Sequence, residues 1–278
     1  MPTTLNLTVP EGALALSNPY SQDFNALISA GTATWVDNSI NGWYTARTGN
    51  GTAIAASTGS NTAGNLYSFG LDADRALGSL GSGNAAAGNF FWGARFFNDT
   101  ESTIDTLYVN YVGEQWRSSA AAAQTVDFQY QIGAAGLTSG TWVNFDPLDF
   151  TSPVTGGTAG ALNGNLSQNR TLISGNLTGL SLAPGEEIWF RWADPDHPGT
   201  DHGLAIDDVQ VSASPLSGIT IAESGGATTV NEAGETTDTY TIALNTLPSA
   251  PVTIAIAAPD NQTRLSSDGI GFAASITL

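Results

Sequence analysis

Short stretches in which apolar and polar residues alternate recur along the chain, separated by loops that contain glycine. The clearest are residues 106–112 (TLYVNYV), 125–132 (TVDFQYQI) and 187–192 (EIWFRW), each rich in β-branched or aromatic residues. The alanine run at 120–123 is compatible with a helical turn, but no amphipathic helix follows it. Many short strands joined by turns predict an all-β chain built as a sandwich or jelly roll.

The alternation slips by one position near the end of the Trp-containing part. Leu204 and Ile206 share one face of a strand, whereas Val209 and Val211 share the opposite phase, and the slip falls on the pair Asp207-Asp208. A β-bulge at this pair would bury all four apolar residues and would turn one carboxylate inward. A buried carboxylate needs a partner, and because the chain has only seven Arg and no Lys, a cation is the predicted partner.

The bulge closes an acidic stretch, residues 194–209, that contains five Asp and both His of the chain. Ca²⁺ takes six to eight oxygen ligands from carboxylates, backbone carbonyls and water, and a loop bent by Pro and Gly supplies all of these. We therefore predict Ca²⁺ ligands at Asp207 and Asp208, and we add Asp194 and Asp196 as candidates. The alternatives are a solvated acidic loop, or, for the Asp pair, an active-site role. His197 and His202 match no zinc pattern.

Composition changes near residues 212–218. All seven Trp precede this point, and the sequence after it is rich in Thr, Ala and Ile. The change predicts a first domain at 1–213, a linker at 214–218 and a smaller domain at 219–278.

The second domain resembles the Calx-beta family of immunoglobulin-like sandwiches, through residues 230–244 and 247–254. These give an acidic turn that contains Gly, a strand centred on an aromatic residue, a turn that contains Pro, and the next strand. The resemblance implies a partial immunoglobulin-like (Calx-beta-like) sandwich, with Glu232 at an acidic position that in the family often serves Ca²⁺. Because the match stops before the family's last strands, we expect an open edge, with the segment either loosely ordered or completed by contact with the first domain or, through self-association, with a second copy.

The first domain resembles the jelly-roll and MAM-like modules of large secreted bacterial proteins of the cyanobacterial type. The residues that carry this resemblance are Asp23-Phe24-Asn25 near the start and Ile206-Asp207-Asp208-Val209 at the end. The first and last strands are often adjacent in such folds. The resemblance therefore implies one Ca²⁺ ion shared by Asp207 or Asp208 with Asp23 or Asn25.

Charge limits the partners. Only 12% of the residues are charged, against about 25% in typical globular proteins, and the net charge is −18. Nucleic acid and anionic membranes would be repelled, and no apolar run has the length of a membrane span. The chain has no Cys and shows no N-terminal signal peptide. This composition predicts a secreted or cell-surface bacterial protein that uses metal in place of disulfides.

The aromatic residues suggest a carbohydrate or surface partner, because flat rings stack on sugars. Trp189 and Trp192 lie on opposite faces of one strand, so at least one of them should point away from the core. Trp43 and Tyr44, preceded by Asn41-Gly42, are expected to lie in a turn and to be exposed, and they are the predicted ligand-binding pair; the alternative is core packing.

No catalytic motif is present: the sequence lacks Gly-x-Ser-x-Gly, His-Glu-x-x-His and Cys. We therefore predict a non-catalytic, calcium-binding β-sandwich module of a larger secreted or surface protein, acting in adhesion or carbohydrate binding. The alternative is the N-terminal region of an extracellular hydrolase, such as a phosphoesterase, a nuclease or a glycan-degrading enzyme.

Overall fold

The computed structural model describes residues 7–214, 219–223, 230, 236–244, 252–258, 263–267 and 269–277. The chain divides into two compact units, Met1–Ser214 and Pro215–Leu278. Among the described residues the only helices are two single-turn 3-10 helices, Asp146–Leu148 and Ser167–Asn169. None of the described helices is long and apolar enough to cross a membrane. The predicted all-β class is confirmed.

The described part of unit 1 contains two sheets of seven and nine strands. The strands are β1 (Leu14–Ala15), β2 (Tyr20–Gln22), β3 (Thr32–Thr34), β4 (Trp43–Arg47), β5 (Ala53–Ser57), β6 (Asn65–Phe69), β7 (Ala76–Leu80), β8 (Phe90–Phe97), β9 (Ile104–Ser118), β10 (Thr125–Ile132), β11 (Val143–Asn144), β12 (Phe150–Thr151), β13 (Gly160–Ala161), β14 (Arg170–Leu182), β15 (Glu187–Asp194) and β16 (Gly203–Ser212). The stretches predicted at 106–112, 125–132 and 187–192 all lie within strands.

The first sheet has the order β1-β8-β15-β10-β11, with β4 paired to β8 and β12 to β10. Its strands alternate as the sequence predicts. On β15, Ile188, Phe190 and Trp192 join the main core, whereas Trp189 lies on the opposite face in a separate small cluster. The expectation that one of these Trp residues points away from the core is therefore confirmed.

The second sheet has the order β13-β9-β16-β7-β6-β5-β3, with β14 paired to β9 and β2 to β16. The long strand β9 pairs with β14 over most of its length, and with β16 on its other side. Because β2 pairs antiparallel with β16, the first part of the domain lies beside its last strand. This is the adjacency that the jelly-roll resemblance implies.

Aromatic rings fill the core between the two sheets. Trp192 sits at its centre, stacked on Trp43 and edge-on to Tyr111 and Phe128, with ring centroids 5.2–5.8 Å apart. Such pairs add about 0.5–1.5 kcal/mol each to the stabilisation from buried area. The second sheet also carries an aromatic cluster on its other face, where Phe69 stacks on Trp116 at 6.1 Å.

The predicted bulge is present in β16. Its pairing with β9 shifts register between Asp207 and Gln210, and Asp208 has a φ of 50°. The extra residue restores the alternation, because all four apolar residues on either side of the bulge are buried (Leu204, Ile206, Val209 and Val211).

In unit 2 the described strands form two separate pairs. β17 (Ile219–Glu223) pairs antiparallel with β18 (Tyr240–Leu244), and β19 (Ala255–Ala257) pairs antiparallel with β20 (Ser275–Thr277). The acidic turn of the Calx-beta-like pattern, including Glu232, lies outside the described residues. The immunoglobulin-like arrangement of this unit therefore stays a prediction.

Candidate functional site

The β-bulge gives its two carboxylates different environments. The side chain of Asp207 points to the outer face of the second sheet and is only 3% exposed, whereas Asp208 is exposed. The backbone N–H of Asp208 donates to Oδ1 of Asp207 over 2.8 Å. The sequence predicts one carboxylate turned inward at the bulge; in the structure the carboxylate of Asp207 is buried, but it lies on the outer face of the second sheet and not in the core between the sheets.

Other acids surround Asp207. Burial raises its pKa to about 9, and the negative charges of Asp208, Glu114 and Asp74 add to the shift. Burial also raises the pKa of Glu114 to about 7, against a hydrogen bond of 2.8 Å from Nε1 of Trp116. Without a cation, this patch favours protonated carboxyl groups at neutral pH.

Asp23 follows β2 and so lies beside the bulge. Its charge is one of the causes that raise the pKa of Asp208, after burial and Asp74. Oδ1 of Asp23 accepts the backbone N–H of Asn25 over 3.1 Å, and Oδ1 of Asn25 accepts the N–H of Arg75 over 2.8 Å. The fold thus brings the two sequence motifs together, although the amide oxygen of Asn25 is engaged with Arg75.

Asp194 and Asp196 belong to a second acidic group. Asp194 is buried at the end of β15, where the hydroxyl of Ser79 donates to its Oδ2. Burial raises the pKa of Asp194 to about 7, and the charges of Asp201, Asp127 and Asp196 contribute. None of these neighbours is among those that shift Asp207, so the six predicted metal ligands fall into two clusters.

Neither cluster gathers three ligands from side chains alone. Over the described ranges, no group of three or more His, Cys, Asp or Glu side chains is arranged to hold a metal ion. An ion at the bulge would therefore draw part of its coordination from backbone carbonyls and water, which Ca²⁺ accepts. The role of Asp207 and Asp208 as Ca²⁺ ligands therefore stays a prediction.

The two His residues have structural partners. His202 is buried, its Nδ1 accepts the N–H of Ser119 over 3.0 Å, and burial lowers its pKa. The backbone N–H of His197 donates to Oδ1 of Asp201 over 2.9 Å, which closes the turn between them. Nδ1 of His197 lies 3.3 Å from Oδ1 of Asp201, and the interpretation that neither His is a zinc ligand stays a prediction.

The expectation that Trp43 and Tyr44 form an exposed pair is wrong for Trp43. This residue starts β4, and its ring is 0% exposed, with Nε1 donating to Oη of Tyr20 over 2.7 Å. The turn ends at Gly42, so Trp43 already alternates inward as part of the strand. Tyr44 points to the outer face of the first sheet and is half-buried, with its hydroxyl donating to the carbonyl of Gly12 over 2.7 Å.

A cleft of about 420 Å³ lies beside a different Trp, on the β4 side of the first sheet. Its lining combines one large aromatic ring, charged and polar side chains, and backbone from glycine-containing turns. The lining residues are Trp35, Asp37, Thr45, Ala46, Arg47, Gly49, Asn50, Gly51, Thr52 and Thr138. This volume is in the range of ~300–1,000 Å³ typical of small-molecule sites.

Hydrogen bonds fix the groups around Trp35. Oδ1 of Asp37 accepts Nε1 of Trp35 over 2.8 Å and the N–H of Thr45 over 3.1 Å. Arg47 donates to Oδ1 of Asn65 over 3.1 Å and to the carbonyl of Ala53 over 2.7 Å. The ring and its carboxylate are therefore held in place, and among the described residues no hydrogen bond reaches Oδ2 of Asp37.

A strip of stacked side chains extends from this cleft across the outer face of the first sheet. Ala46, which lines the cleft, is paired with Phe91 in the β4–β8 register. The guanidinium of Arg191 lies 4.7 Å from the Phe91 ring centroid and 4.1 Å from that of Trp142. Nε of Arg191 donates to Oε1 of Gln129 over 2.6 Å. No carboxylate of the described residues pairs with Arg191.

No pattern in the sequence indicates these residues as a group. Trp35 and Asn50 border the cleft, and Phe91 and Trp142 both lie against Arg191, although the members of each pair are far apart along the chain. Alternation along β15 did indicate an outward Trp. It could not indicate that the segment at 133–142 lies over it, because that contact is made by Ala134 and Leu137 from a loop.

No protein-family model matches the chain, and a comparison with curated proteins finds no match. Solved structures with a similar arrangement include the CBM22-1–GH10 modules of the N-terminal endo-1,4-β-D-xylanase 10B of Clostridium thermocellum complexed with xylohexaose. That structure is 10% identical with a TM-score of 0.31, over 69% of this chain and 28% of that one.

A second is the CBM22-1 xylan-binding domain of Paenibacillus barcinonensis Xyn10C, at 10% identity and a TM-score of 0.33, over 67% of this chain and 97% of that one. A third is a CBM28 module specific for non-crystalline cellulose, at 13% identity and a TM-score of 0.29, over 62% of this chain and 87% of that one. At these low TM-scores, the ligand of this chain has to be inferred from its own residues.

Proposed function

We propose that this chain is a non-catalytic carbohydrate-binding β-sandwich module of a secreted or cell-surface protein, with its binding site in the cleft beside Trp35. The observation that carries the proposal is the lining of that cleft. One indole ring, the carboxylate of Asp37, the amide of Asn50 and the backbone of Gly49 and Gly51 border a single space of about 420 Å³.

This lining suits the chemistry of a sugar ring. A pyranose presents C–H groups on its faces, which pack on an indole, and hydroxyl groups around its edge, which both donate and accept hydrogen bonds. Asp37 offers an acceptor, Asn50 offers a donor and an acceptor, and the hydroxyls of Thr45 and Thr52 offer both. Because Asp37 is already held by Trp35 and Thr45, little side-chain freedom would be lost on binding.

Charge favours a neutral glycan. The net charge of −18 repels polyanions over the range of the Debye length. Next to the cleft, Phe91 is paired with the lining residue Ala46 and offers further flat surface for a chain of more than one sugar. Binding of this kind would serve adhesion or the targeting of an attached domain.

Affinity electrophoresis tests this proposal with a panel of soluble neutral polysaccharides: xylan, a β-glucan, a galactan and a mannan. We expect retardation by at least one of them, and its loss in Trp35→Ala. Tyr108→Ala, which alters a half-buried aromatic residue on the second sheet, is the matched control and should be retarded like the native protein. Turnover of the retarding glycan would contradict the non-catalytic assignment.

We also propose that Ca²⁺ binds at the bulge, through Asp207 or Asp208 with Asp23 or Asn25. The support is the burial of Asp207 among Asp208, Glu114 and Asp74; the charge of Arg170 lowers the pKa of Glu114 and of Asp208, but no Arg acts on Asp207. A divalent cation would offset the repulsion between these acids and would hold the ends of β2 and β16 together. The role of the ion would be structural, because the bulge is in the second sheet and the cleft is beside the first.

A further inference from the structure

We propose that the segment 133–142 is a displaceable cover over a second carbohydrate subsite, in which Trp189 is the stacking platform. This inference rests on the proposed function, because it assigns an additional subsite to the same glycan. The cover segment joins β10 to β11 and lies on the outer face of the first sheet, where its Ala134 and Leu137 pack against Trp189.

Two polar atoms beneath the cover are buried without a partner. Trp189 is 6% exposed, and its Nε1 forms no hydrogen bond with the described residues; the same holds for Oε1 of Gln131. The two residues are directly opposite each other in the β10–β15 register, so their side chains leave the same face of the sheet as neighbours. A buried donor or acceptor left unpaired is costly, so this arrangement calls for a bound group.

The unpaired atoms are complementary to one hydroxyl group. An indole N–H can only donate and an amide oxygen can only accept, whereas a hydroxyl accepts from the first and donates to the second. A sugar that stacks on Trp189 carries such hydroxyls at its edge. The ligand class that fits is therefore a neutral sugar residue, in which one hydroxyl bridges Nε1 of Trp189 and Oε1 of Gln131.

The surroundings of Trp189 are already fixed. The Tyr44 ring centroid lies 4.7 Å from that of Trp189, with its hydroxyl held by the carbonyl of Gly12. On another side, the guanidinium of Arg95 lies 5.8 Å from the Trp189 ring and pairs with Glu187 at 2.5 Å. These contacts leave the platform in place when the cover moves.

The cover holds its shape largely by itself. Within it, the hydroxyl of Ser139 donates to the carbonyl of Gly136 over 3.0 Å, and Nε1 of Trp142 donates to the carbonyl of Ser139 over 2.9 Å. Gly133, Gly136 and Gly140 all have positive φ, and the first of them is the point at which the cover leaves β10. Movement of the segment about Gly133 would give up the packing of Ala134 and Leu137, the stacking of Trp142 on Arg191 at 4.1 Å, and the hydrogen bond from Arg191 to the Leu137 carbonyl.

The cover also borders the first site, because its Thr138 lines the cleft beside Trp35. A glycan that fills the cleft and continues across the face of the sheet meets the cover at this residue. A short ligand would leave the cover closed, whereas a longer one would displace it and reach Trp189. The second subsite thus predicts a dependence of affinity on chain length.

Fluorine NMR of the protein labelled with 5-fluorotryptophan tests this directly, because the chain has seven Trp. Trp189→Phe and Trp35→Phe assign the two resonances. On addition of the hexasaccharide of the best-binding neutral glycan, we expect both resonances to shift; with the disaccharide, only that of Trp35 should shift. A Trp35 resonance that shifts while that of Trp189 stays unchanged with the hexasaccharide overturns the cover, but leaves the proposed function intact.

Isothermal titration calorimetry of variants in the cover provides a second test, through their affinities for the two oligosaccharides. Leu137→Ser weakens the packing of the cover without altering a proposed ligand contact, so hexasaccharide affinity should rise several-fold and disaccharide affinity should not change. Leu172→Ser, at an exposed position of β14, is the matched control and should change neither. Equal affinities of the native protein and Leu137→Ser for the hexasaccharide would mean that the unpaired atoms hold an ordered water only, and would contradict the proposal.

Discussion

Asp207 accepts the backbone N–H of Asp208 over 2.8 Å, so that the two adjacent acids of the β-bulge are joined by a hydrogen bond while their side chains diverge. One carboxylate is buried and the other is exposed. The bulge therefore does two things at once. It restores the alternation of apolar residues along β16, and it places a carboxyl group where its charged form is disfavoured.

Stability without calcium should decrease as the pH rises. The folded pKa of Asp207 is raised from 3.8 to about 9, so folding favours its protonated form, and this contribution is lost between about pH 4 and pH 9. In a chelator, we expect a lower melting temperature at pH 8.5 than at pH 6. Asp207→Asn should flatten this dependence. Asp72→Asn removes the same charge from an exposed position and should leave the pH dependence unchanged. If the melting temperatures of the two variants depend on pH with equal slopes, the raised pKa of Asp207 is contradicted.

Calcium should reverse that effect. A ligand that binds only the folded protein stabilises it by about 2.7 kcal/mol at a hundredfold excess over its dissociation constant. We expect the melting temperature at pH 7.5 to rise with Ca²⁺ and to return with a chelator. The rise should be lost in Asp207→Asn and kept in Asp194→Asn, whose carboxyl belongs to the other acidic cluster. A melting curve that is the same in Ca²⁺ and in chelator would remove the bulge site.

Alternation along single strands predicted a large part of this fold. It located β10 and the bulge in β16, and it indicated that Trp189 and Trp192 point in opposite directions, because each of these properties depends on neighbouring residues. It failed at Trp43. Adjacent residues of a strand always point to opposite faces, so one of Trp43 and Tyr44 had to be inward, but only the pairing of Trp43 with Ala94 in β8 decides which one.

The candidate site was harder to predict from the sequence than the fold. The lining of the cleft comes from the loop at 35–37, from β4, from the turn at 49–52 and from Thr138. Nothing in the spacing of these residues brings them together, since their contact follows from which strands pair. The acidic residues were easier to identify, because their effect on the pattern of β16 is local. Even so, the separation of Asp194 from Asp207 depended on the sheet order.

Trp43 should contribute to stability and not to binding. It is stacked on Trp192 and edge-on to Phe24, with ring centroids 5.8 and 4.7 Å away. Trp43→Ala should lower the free energy of unfolding by about 3–5 kcal/mol, as for other large aromatic residues removed from cores. Denaturant titration measures this against Trp35→Ala, which should cost much less. Similar losses for the two variants would contradict the different burial of the two rings.

Unit 2 should be less protected than unit 1. Its described strands form two-stranded pairs, and Ile221 and Phe272 are 54% and 52% exposed. Small strand pairs with uncovered apolar residues open readily. Hydrogen exchange should therefore be faster at 219–223 and 240–244 than in β9 or β15 at low protein concentration. It should slow with increasing concentration if the segment self-associates, and uniform protection in a dilute monomer would contradict the prediction.

If a glycan binds on Trp35 in the cleft, removal of that ring should weaken binding. Isothermal titration calorimetry with the best-binding neutral hexasaccharide tests it most directly, on the native protein, Trp35→Ala and Tyr108→Ala. We expect Trp35→Ala to weaken binding by about tenfold or more, equivalent to about 1.4 kcal/mol, with its melting temperature close to that of the native protein, while Tyr108→Ala binds normally. Native affinity in a folded Trp35→Ala variant would contradict it.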